Sequence, residues 1–329
     1  MGGGPHRPGL SGGPGRPGLP SRPIVVVTGP TASGKSALAL AIAGEFSGLV
    51  VNADSMQVYR ELAILTARPG AEALAAVLHR LYGEVPAAER CSAGRWREMA
   101  LSAIAAAPDR LPVVTGGTGL YLRALAEGLA PVPAIAPAVL AEGGRRLAEL
   151  GAAGLHGELR RVDPVIAGRL LPSDSQRLLR AWCVWRGTGR SLAEWQSEAG
   201  NAGLGPVLTI ALMPERRALY AACDARLLRM IERGAVEEVK ALLALGLDPG
   251  LPAMKAVGVR ELGAMLAGRA SLEDAIAAAQ QATRRYAKRQ VTWLRHQVPG
   301  VHIVPEQYSE RVLGPIFNII RHFLLTLPD

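Results

Sequence analysis

The apolar run Ile24-Val25-Val26-Val27 leads into GPTASGKS, Gly29 to Ser36, and then into SALALAIA, Ser36 to Ala43. Consecutive β-branched residues predict a strand buried on both faces, as parallel sheets require. The residues after it match the pattern G-x-x-x-x-G-K-[ST], and the Ala/Leu-rich segment that follows predicts a helix. Strand, glycine-rich turn and helix in this order restrict the chain to a parallel α/β architecture with the loop at a strand's carboxyl end. In such a loop, main-chain N–H groups and the helix N-terminus face phosphate oxygens. Lys35 reaches the terminal phosphates and Ser36 can ligate Mg²⁺. The default ligand is a nucleotide such as ATP, but the loop alone specifies only a phosphate chain.

Further short apolar segments predict strands at Leu49–Val51, Leu111–Thr115 and Val207–Leu212. Strands spaced by helical patterns predict a doubly wound parallel sheet, whose ligands sit beyond the strands' carboxyl ends. From Pro131 to about Gly205 no strand is expected. The segment PVPAIAP reads as a linker into a helical insertion, 131–205. The core is then 23–130 with 206–329, and the chain is expected to be helical from Pro214 nearly to Leu325. Residues 1–22, rich in Gly, Pro and Arg, have no apolar h-region and read as a disordered leader.

Lys and Arg number 37 against 28 Asp and Glu, a formal charge of +9. That excess favours an anionic partner such as nucleic acid, or simply an Arg-rich solvated surface. Cys91, Cys183 and Cys223 are far apart and form no C-x-x-C pair, so neither a zinc site nor a disulfide framework is suggested, and a reducing compartment fits. No run of 18 apolar residues predicts a membrane span. A monomer in the cytoplasm is the expectation.

Three further segments carry candidate chemistry. In NADSMQVYR, Asp54 stands at a strand end, where a carboxylate can be a Mg²⁺ ligand, a general base or a helix N-cap. Gln57 has the amide that pairs with the N6 and N7 edge of adenine, or is an exposed helical residue. Gly116-Gly117-Thr118-Gly119 is a second glycine-rich turn, which lets backbone approach a ligand or merely joins strand to helix. In QATRRYAKRQVTWLRH, Gln281–His296, five cations occur without an acidic residue. At about 100° per residue, Arg284, Lys288 and Arg295 share a stripe with Arg285 and Arg289 beside it. Tyr286, Ala287, Trp293 and Leu294 fall opposite. The helix therefore reads as one packing face and one phosphate-facing face, or as a solvated cationic face.

GPTASGKS, NADSMQVYR, GGTGLYLRAL, SDSQRLLRA and AKRQVTWLR, in this order and spacing, resemble the bacterial tRNA dimethylallyltransferases from about Pro23 to Arg295. The resemblance implies transfer of a dimethylallyl group from dimethylallyl diphosphate to N6 of adenosine 37, in tRNAs reading codons that start with U. Pyrophosphate leaves. It implies that Gly29, Pro30, Thr31, Ala32, Ser33, Gly34, Lys35, Ser36 and Arg226 hold the diphosphate, with Mg²⁺ on Ser36. Asp54, Thr118 and Lys35 are the implied catalytic residues. Contact with the tRNA anticodon stem-loop is implied for Asp54, Ser55, Met56, Gln57 and Thr118. In the insertion it is implied for Gln176, Arg177, Leu178, Leu179 and Arg180. In the C-terminal region it is implied for Lys255, Arg260, Arg284, Arg285, Lys288, Arg289 and Arg295.

Some positions depart from the family pattern. Ala222 replaces the first of two arginines, leaving Arg226 or Arg123 to cover a lost diphosphate contact. Val259 replaces an aromatic residue, and Leu78 replaces the proline before His79. A phosphate-loop kinase or a free-nucleotide (AMP) prenyltransferase would also use the first loop. Neither needs the basic C-terminal helix. An RNA-binding NTPase switch would leave the second glycine turn and DSMQ without a task.

Overall fold

The computed structural model describes residues 22–198, 204–297 and 300–327. The expected leader falls outside this range except for Arg22. Six strands occur: β1 Ile24–Thr28, β2 Gly48–Asn52, β3 Leu78–Arg80, β4 Leu111–Gly116, β5 Val207–Leu212 and β6 His302–Val304. They form one sheet in the order β3-β2-β4-β1-β5-β6. All five pairings are parallel, with Val25 opposite Val113 and Leu208. The first helices are α1 Lys35–Glu45, α2 Ala71–Ala76, α3 Ala93–Ala105 and α4 Gly119–Glu127. Next come α5 Pro137–Val162, α6 Pro164–Ala167, α7 Ser175–Thr188 and α8 Leu192–Ser197. After β5 follow α9 Arg216–Glu232, α10 Ala235–Ala244, α11 Val259–Leu266, α12 Leu272–Gln297 and α13 Leu313–Leu325. No helix among the described residues is long and apolar enough to cross a membrane.

The expected strands are all present. Two others, β3 and β6, escape the sequence reading because each has three residues and lies at a sheet edge. LHR and HIV hold no apolar run, and their place comes from pairing with β2 and β5. The continuous C-terminal helical reading is accordingly corrected. Gly234, in the left-handed region at φ 97°, separates α9 from α10, and β6 interrupts the rest.

The chain divides into two compact units. One contains residues 1–122 and 203–329; the other is 123–202. In the first, Val25, Val27, Val50, Val113 and Ile210 of the sheet pack against Leu38 and Ile42 of α1, with Ile316 and Ile320 of α13. Removal of these side chains from water supplies the main folding drive, about 1.5–3 kcal/mol each. In the second, α5 and α7 enclose Leu155, Leu159, Leu178 and Trp182. The break in α5 comes at Gly151, whose φ of 67° no other residue in that helix adopts.

Candidate active site

The strand ends of β1, β2 and β4 converge, as a parallel sheet dictates, and each passes into a loop of the site. After β1, Gly34 takes φ 89° as α1 begins, and a Cβ there would lie 2.5 Å from Tyr308 Cβ. Glycine is required on both counts. The 307–308 segment holds the loop from outside. Gln307 donates to Ala32 O at 3.3 Å and Tyr308 N to Ser33 O at 3.1 Å. In a trans peptide the N–H points opposite to the C=O, so the Gly34 amide is turned to the inner side of the loop. With the first amides of α1 it forms a concave row of donors with no intrahelical partners. The Ser33 hydroxyl is fully buried without a hydrogen-bond partner, a donor awaiting an acceptor.

Not every loop residue faces inward. Pro30 has no N–H, and its carbonyl accepts from Ser33 N at 3.2 Å and Lys35 Nζ at 3.4 Å. Thr31 N is taken by the side chain of Gln290 at 2.8 Å. The Pro30 and Thr31 main chains therefore offer no donor to the diphosphate that these residues are expected to hold. Thr31 and Ser33 have only their hydroxyls to offer.

Two cations belong to this loop's surroundings: Lys35 is buried, and Arg226 is half-buried with its Nε fully enclosed. Burial pulls Lys35 down to about 8, against the attraction of the Asp54 carboxylate. Burial also lowers Arg226, again opposed by Asp54. Arg226 donates to Thr31 Oγ1 and, at 3.1 Å, to Thr66 O, while its Nε has no partner. A guanidinium with an enclosed, unmet donor is costly unless an anion completes it.

Asp54 follows β2. Its Oδ1 accepts from Met56 N at 2.9 Å, closing a turn, and its own N–H donates to Asn52 Oδ1 at 2.8 Å. No helix starts there, since the next is α2 at Ala71, so the N-cap alternative is excluded. Thr118 on the β4 loop accepts from Ser55 N at 2.9 Å and meets Ser55 Oγ at 3.2 Å. This ties the Asp54 turn to the second glycine turn. The glycines of that turn make room for protein. A Cβ on Gly117 would overlap Gln290 Nε2, and one on Gly119 would overlap the Trp293 ring.

Thr31 of the first loop and Asp54, Ser55 and Met56 after β2 border a cavity of about 230 Å³, which Lys35 and Thr118 do not line. Its polar wall includes Thr31, Asp54, Arg226, Lys255 and Arg289; its apolar wall includes Leu65, Leu227, Met230 and Val257. Tyr286 also lines it, its phenol pushed up by burial and by Asp54 and hydrogen-bonded to Thr118. A cavity with cations and a carboxylate on one side and branched hydrocarbon on the other suits a ligand with an anionic head and a short apolar tail.

Other expected contacts sort by exposure. Gln176, Arg177 and Arg180 are exposed on α7, as are Arg260 on α11 and Arg285, Lys288, Arg289 and Arg295 on α12. Leu178 is fully buried and Leu179 packs against the same core, so Leu178 is corrected from tRNA contact to core residue. Arg284 is engaged by Asp224 at 2.6 and 2.8 Å, an internal ion pair in place of the expected phosphate contact. Gln57 is 8% exposed, and its Nε2 donates to Thr66 O and Ala67 O at 2.8 and 3.2 Å. Its amide braces the 57–67 loop and cannot form the paired bonds expected with adenine. Of the residues that could stand in for Ala222, Arg226 lines the cavity, whereas Arg123 is exposed and pairs with Glu127 at 2.8 Å.

The family model described as IPP transferase matches residues 57–297, and one described as isopentenyl transferase matches 23–85. A tRNA dimethylallyltransferase of Rhodospirillum centenum is 60% identical over 283 residues, 84% of this chain and 90% of that protein. The chain belongs to the tRNA dimethylallyltransferase family. A dimethylallyltransferase of Rhodospirillum rubrum is 54% identical over 93% of this chain and 96% of its own. Among solved structures, the tRNA isopentenylpyrophosphate transferase of Bacillus halodurans superposes with a TM-score of 0.66 at 29% identity, covering 92% of this chain and 96% of that one. A eukaryotic dimethylallyltransferase acting on tRNA gives 0.81 at 25% identity, over 93% and 80%.

In this dimethylallyltransferase, two site residues had no signal in the sequence. Gln290 sits inside AKRQVTWLR among cations and is buried. Glu238 on α10 accepts from Ala63 N, Ile64 N and Leu65 N at 2.6, 2.7 and 2.8 Å. It anchors the loop that supplies Leu65 and Thr66 to the cavity. Glu238→Ala strands three donors and should cost about 2 kcal/mol, read as a lower midpoint of thermal unfolding. Glu238→Gln, which keeps an acceptor, should lose less than half of that.

Burial of Lys35 leads to an expected pH dependence of anion binding. Its free-state value of about 8 lies below the lysine norm because burial disfavours the ammonium. A bound anion favours the ammonium, so above about 8 binding must take up a proton. Affinity for dimethylallyl diphosphate, without tRNA, should then fall by up to tenfold per pH unit above 8. Calorimetry of Lys35→Met across the same range should lack this component. Parallel profiles for the two proteins would remove Lys35 from the site.

Proposed function

We propose that this enzyme transfers the dimethylallyl group of dimethylallyl diphosphate to N6 of adenosine 37 in tRNAs reading codons that start with U, releasing pyrophosphate. The single observation that carries the reading is the cavity that joins Asp54, Arg226 and Thr31 of the phosphate loop to an apolar wall at Leu227 and Met230. Family membership supports it, since the relatives are named tRNA dimethylallyltransferases.

The residues divide the work between them. The Gly34–Ser36 amides, Lys35 and Arg226 bind the diphosphate and stabilise the charge that grows on it as the C1–oxygen bond breaks. Leu65, Leu227 and Met230 cover the prenyl carbons and exclude water from an electrophilic C1. The N6 amine is a weak nucleophile, because its lone pair is delocalised into the ring. As it attacks C1, positive charge develops on nitrogen and Asp54 takes the proton. Thr118 holds the Ser55 amide and so fixes the turn that aims Asp54. The adenine must leave the anticodon-loop stack to reach this depth. Exposed cations on α12, and separately on α7, are suited to phosphates of the RNA.

Mg²⁺ fits the donors present. No group of three or more His, Cys, Asp or Glu residues forms a metal cage among the described residues. Mg²⁺ on substrate phosphates plus one hydroxyl, that of exposed Ser36 at the start of α1, needs no such cage. When bound, the ion would neutralise charge on the leaving diphosphate.

The test uses two labels. Protein, Mg²⁺ and unmodified tRNA are incubated with dimethylallyl diphosphate labelled in the prenyl carbons, or with ATP labelled in the γ-phosphate. Carbon label should enter tRNA and phosphate label should enter neither tRNA, AMP nor small molecules. The converse result would make the protein a kinase. Prenylation of free AMP at a comparable kcat/KM would reassign the substrate.

A further inference from the structure

Gln290 is 5% exposed and faces inward from α12. Its two ends reach different loops. Oε1 accepts from Thr31 N at 2.8 Å, and Nε2 donates to Gly117 O at 3.0 Å. Only a side chain with a donor and an acceptor can complete both bonds. The contact extends on each side. Thr31 Oγ1 accepts from Arg226, and Thr118, next after Gly117, holds Ser55 beside Asp54. One unbroken chain of bonds and adjacent residues therefore runs Arg226–Thr31–Gln290–Gly117–Thr118–Ser55–Asp54, from the diphosphate end of the cavity to its carboxylate. On the same helix, Lys288, Arg289 and Arg295 are exposed.

We propose that Gln290 is a positioning residue that clamps the phosphate loop to the Thr118 turn and ties both to the cationic helix, so that RNA bound on α12 tightens diphosphate binding. The inference rests on the substrate reading given above. Gln290 touches neither substrate and acts through the Thr31 peptide on one side and the Gly117 peptide on the other. Glycine at 117 is part of the device, since a Cβ there would overlap the Gln290 amide and displace it. Because coupling of two binding events is reciprocal, the factor by which RNA tightens diphosphate equals that by which diphosphate tightens RNA.

The experiment compares the wild-type chain with Gln290→Met, Gly117→Ala and the double variant. Pyrophosphate affinity is measured with and without an unmodified anticodon stem-loop RNA, followed by RNA affinity alone and steady-state kcat and KM. Gln290→Met strands a buried N–H and a C=O while conserving volume. It should lower pyrophosphate affinity and kcat by roughly tenfold each, abolish the tightening by RNA, and leave the affinity for RNA alone within about twofold. Gly117→Ala pushes the amide away without altering α12 and should give the same pattern. The double variant should be no worse than the poorer single one, as expected for two lesions in one contact. Should Gln290→Met fail to show a cooperative thermal transition, Gly117→Ala carries the test. Unchanged pyrophosphate affinity and coupling in both variants overturns the proposal. So does a loss of RNA affinity equal to the loss in kcat/KM, which would make Gln290 part of the RNA surface. Failure of the substrate reading is distinguishable, because the wild type would then bind both ligands and form no prenylated product.

Discussion

Asp54→Asn should lower kcat by about 10²- to 10⁴-fold, the range for removing a positioned base, while leaving the affinity for tRNA within a few-fold of wild type. Asparagine keeps the size of the side chain and an oxygen for the Met56 amide that now bonds Oδ1 at 2.9 Å. The turn should therefore persist, and only proton acceptance is lost. The proton must leave N6 as the new carbon–nitrogen bond forms, so the deficit belongs to kcat rather than KM. A second readout is the pair of cations at the site. Asp54 raises both Lys35 and Arg226 against the effect of burial, so Asp54→Asn should move the pH dependence of diphosphate binding to lower pH. Single-turnover rates and calorimetry at several pH values measure the two effects. A variant with near-wild-type kcat would assign the proton to another group.

Arg226→Met should cost about 10²- to 10³-fold in kcat, comparable to the removal of one preorganised donor from an oxyanion site, with a rise in KM for dimethylallyl diphosphate. Its effect on folding should be small. The side chain surrenders bonds to Thr31 Oγ1 and Thr66 O, but the substitution also removes a guanidinium whose enclosed Nε has no partner. With Ala222 at the neighbouring turn, Arg226 is the arginine of α9 that lines the cavity. Thermal unfolding alongside kinetics separates the two effects. A large drop in unfolding midpoint with unchanged kinetics would make Arg226 a strut for the Thr66 loop.

The parts of the fold legible in the sequence are those set by local pattern. The apolar runs Ile24–Val27 and Val207–Leu212 suit inner strands, and both are inner strands of the sheet. The phosphate loop is legible because few conformations suit its glycines. What stayed hidden depends on pairing in space. His302–Val304 is a strand only because β5 is beside it. Gln57 carries an adenine-reading amide by residue type, yet the 57–67 loop folds back and takes its hydrogen bonds. The second glycine turn offers room that the sequence assigns equally to a ligand or to packing, and Gln290 and Trp293 fill it. Arg284 and Arg289 look equivalent in a cationic run, but Asp224, sixty positions away, engages only the first. Gln290 and Glu238 were invisible for the same reason: each acts on backbone amides, and a backbone amide has no sequence signature.

In the proposed reaction the phosphate loop holds a leaving group and the atom transferred is carbon. Mass spectrometry of nucleosides from an unmodified tRNA incubated with the protein, Mg²⁺ and dimethylallyl diphosphate tests it most directly, with pyrophosphate measured in the same reaction. The expected products are N6-dimethylallyladenosine at position 37 and one pyrophosphate per modified base, with no product from a tRNA that has guanosine there. Intact dimethylallyl diphosphate and unmodified adenosine, from a protein that binds both substrates, would contradict the proposal.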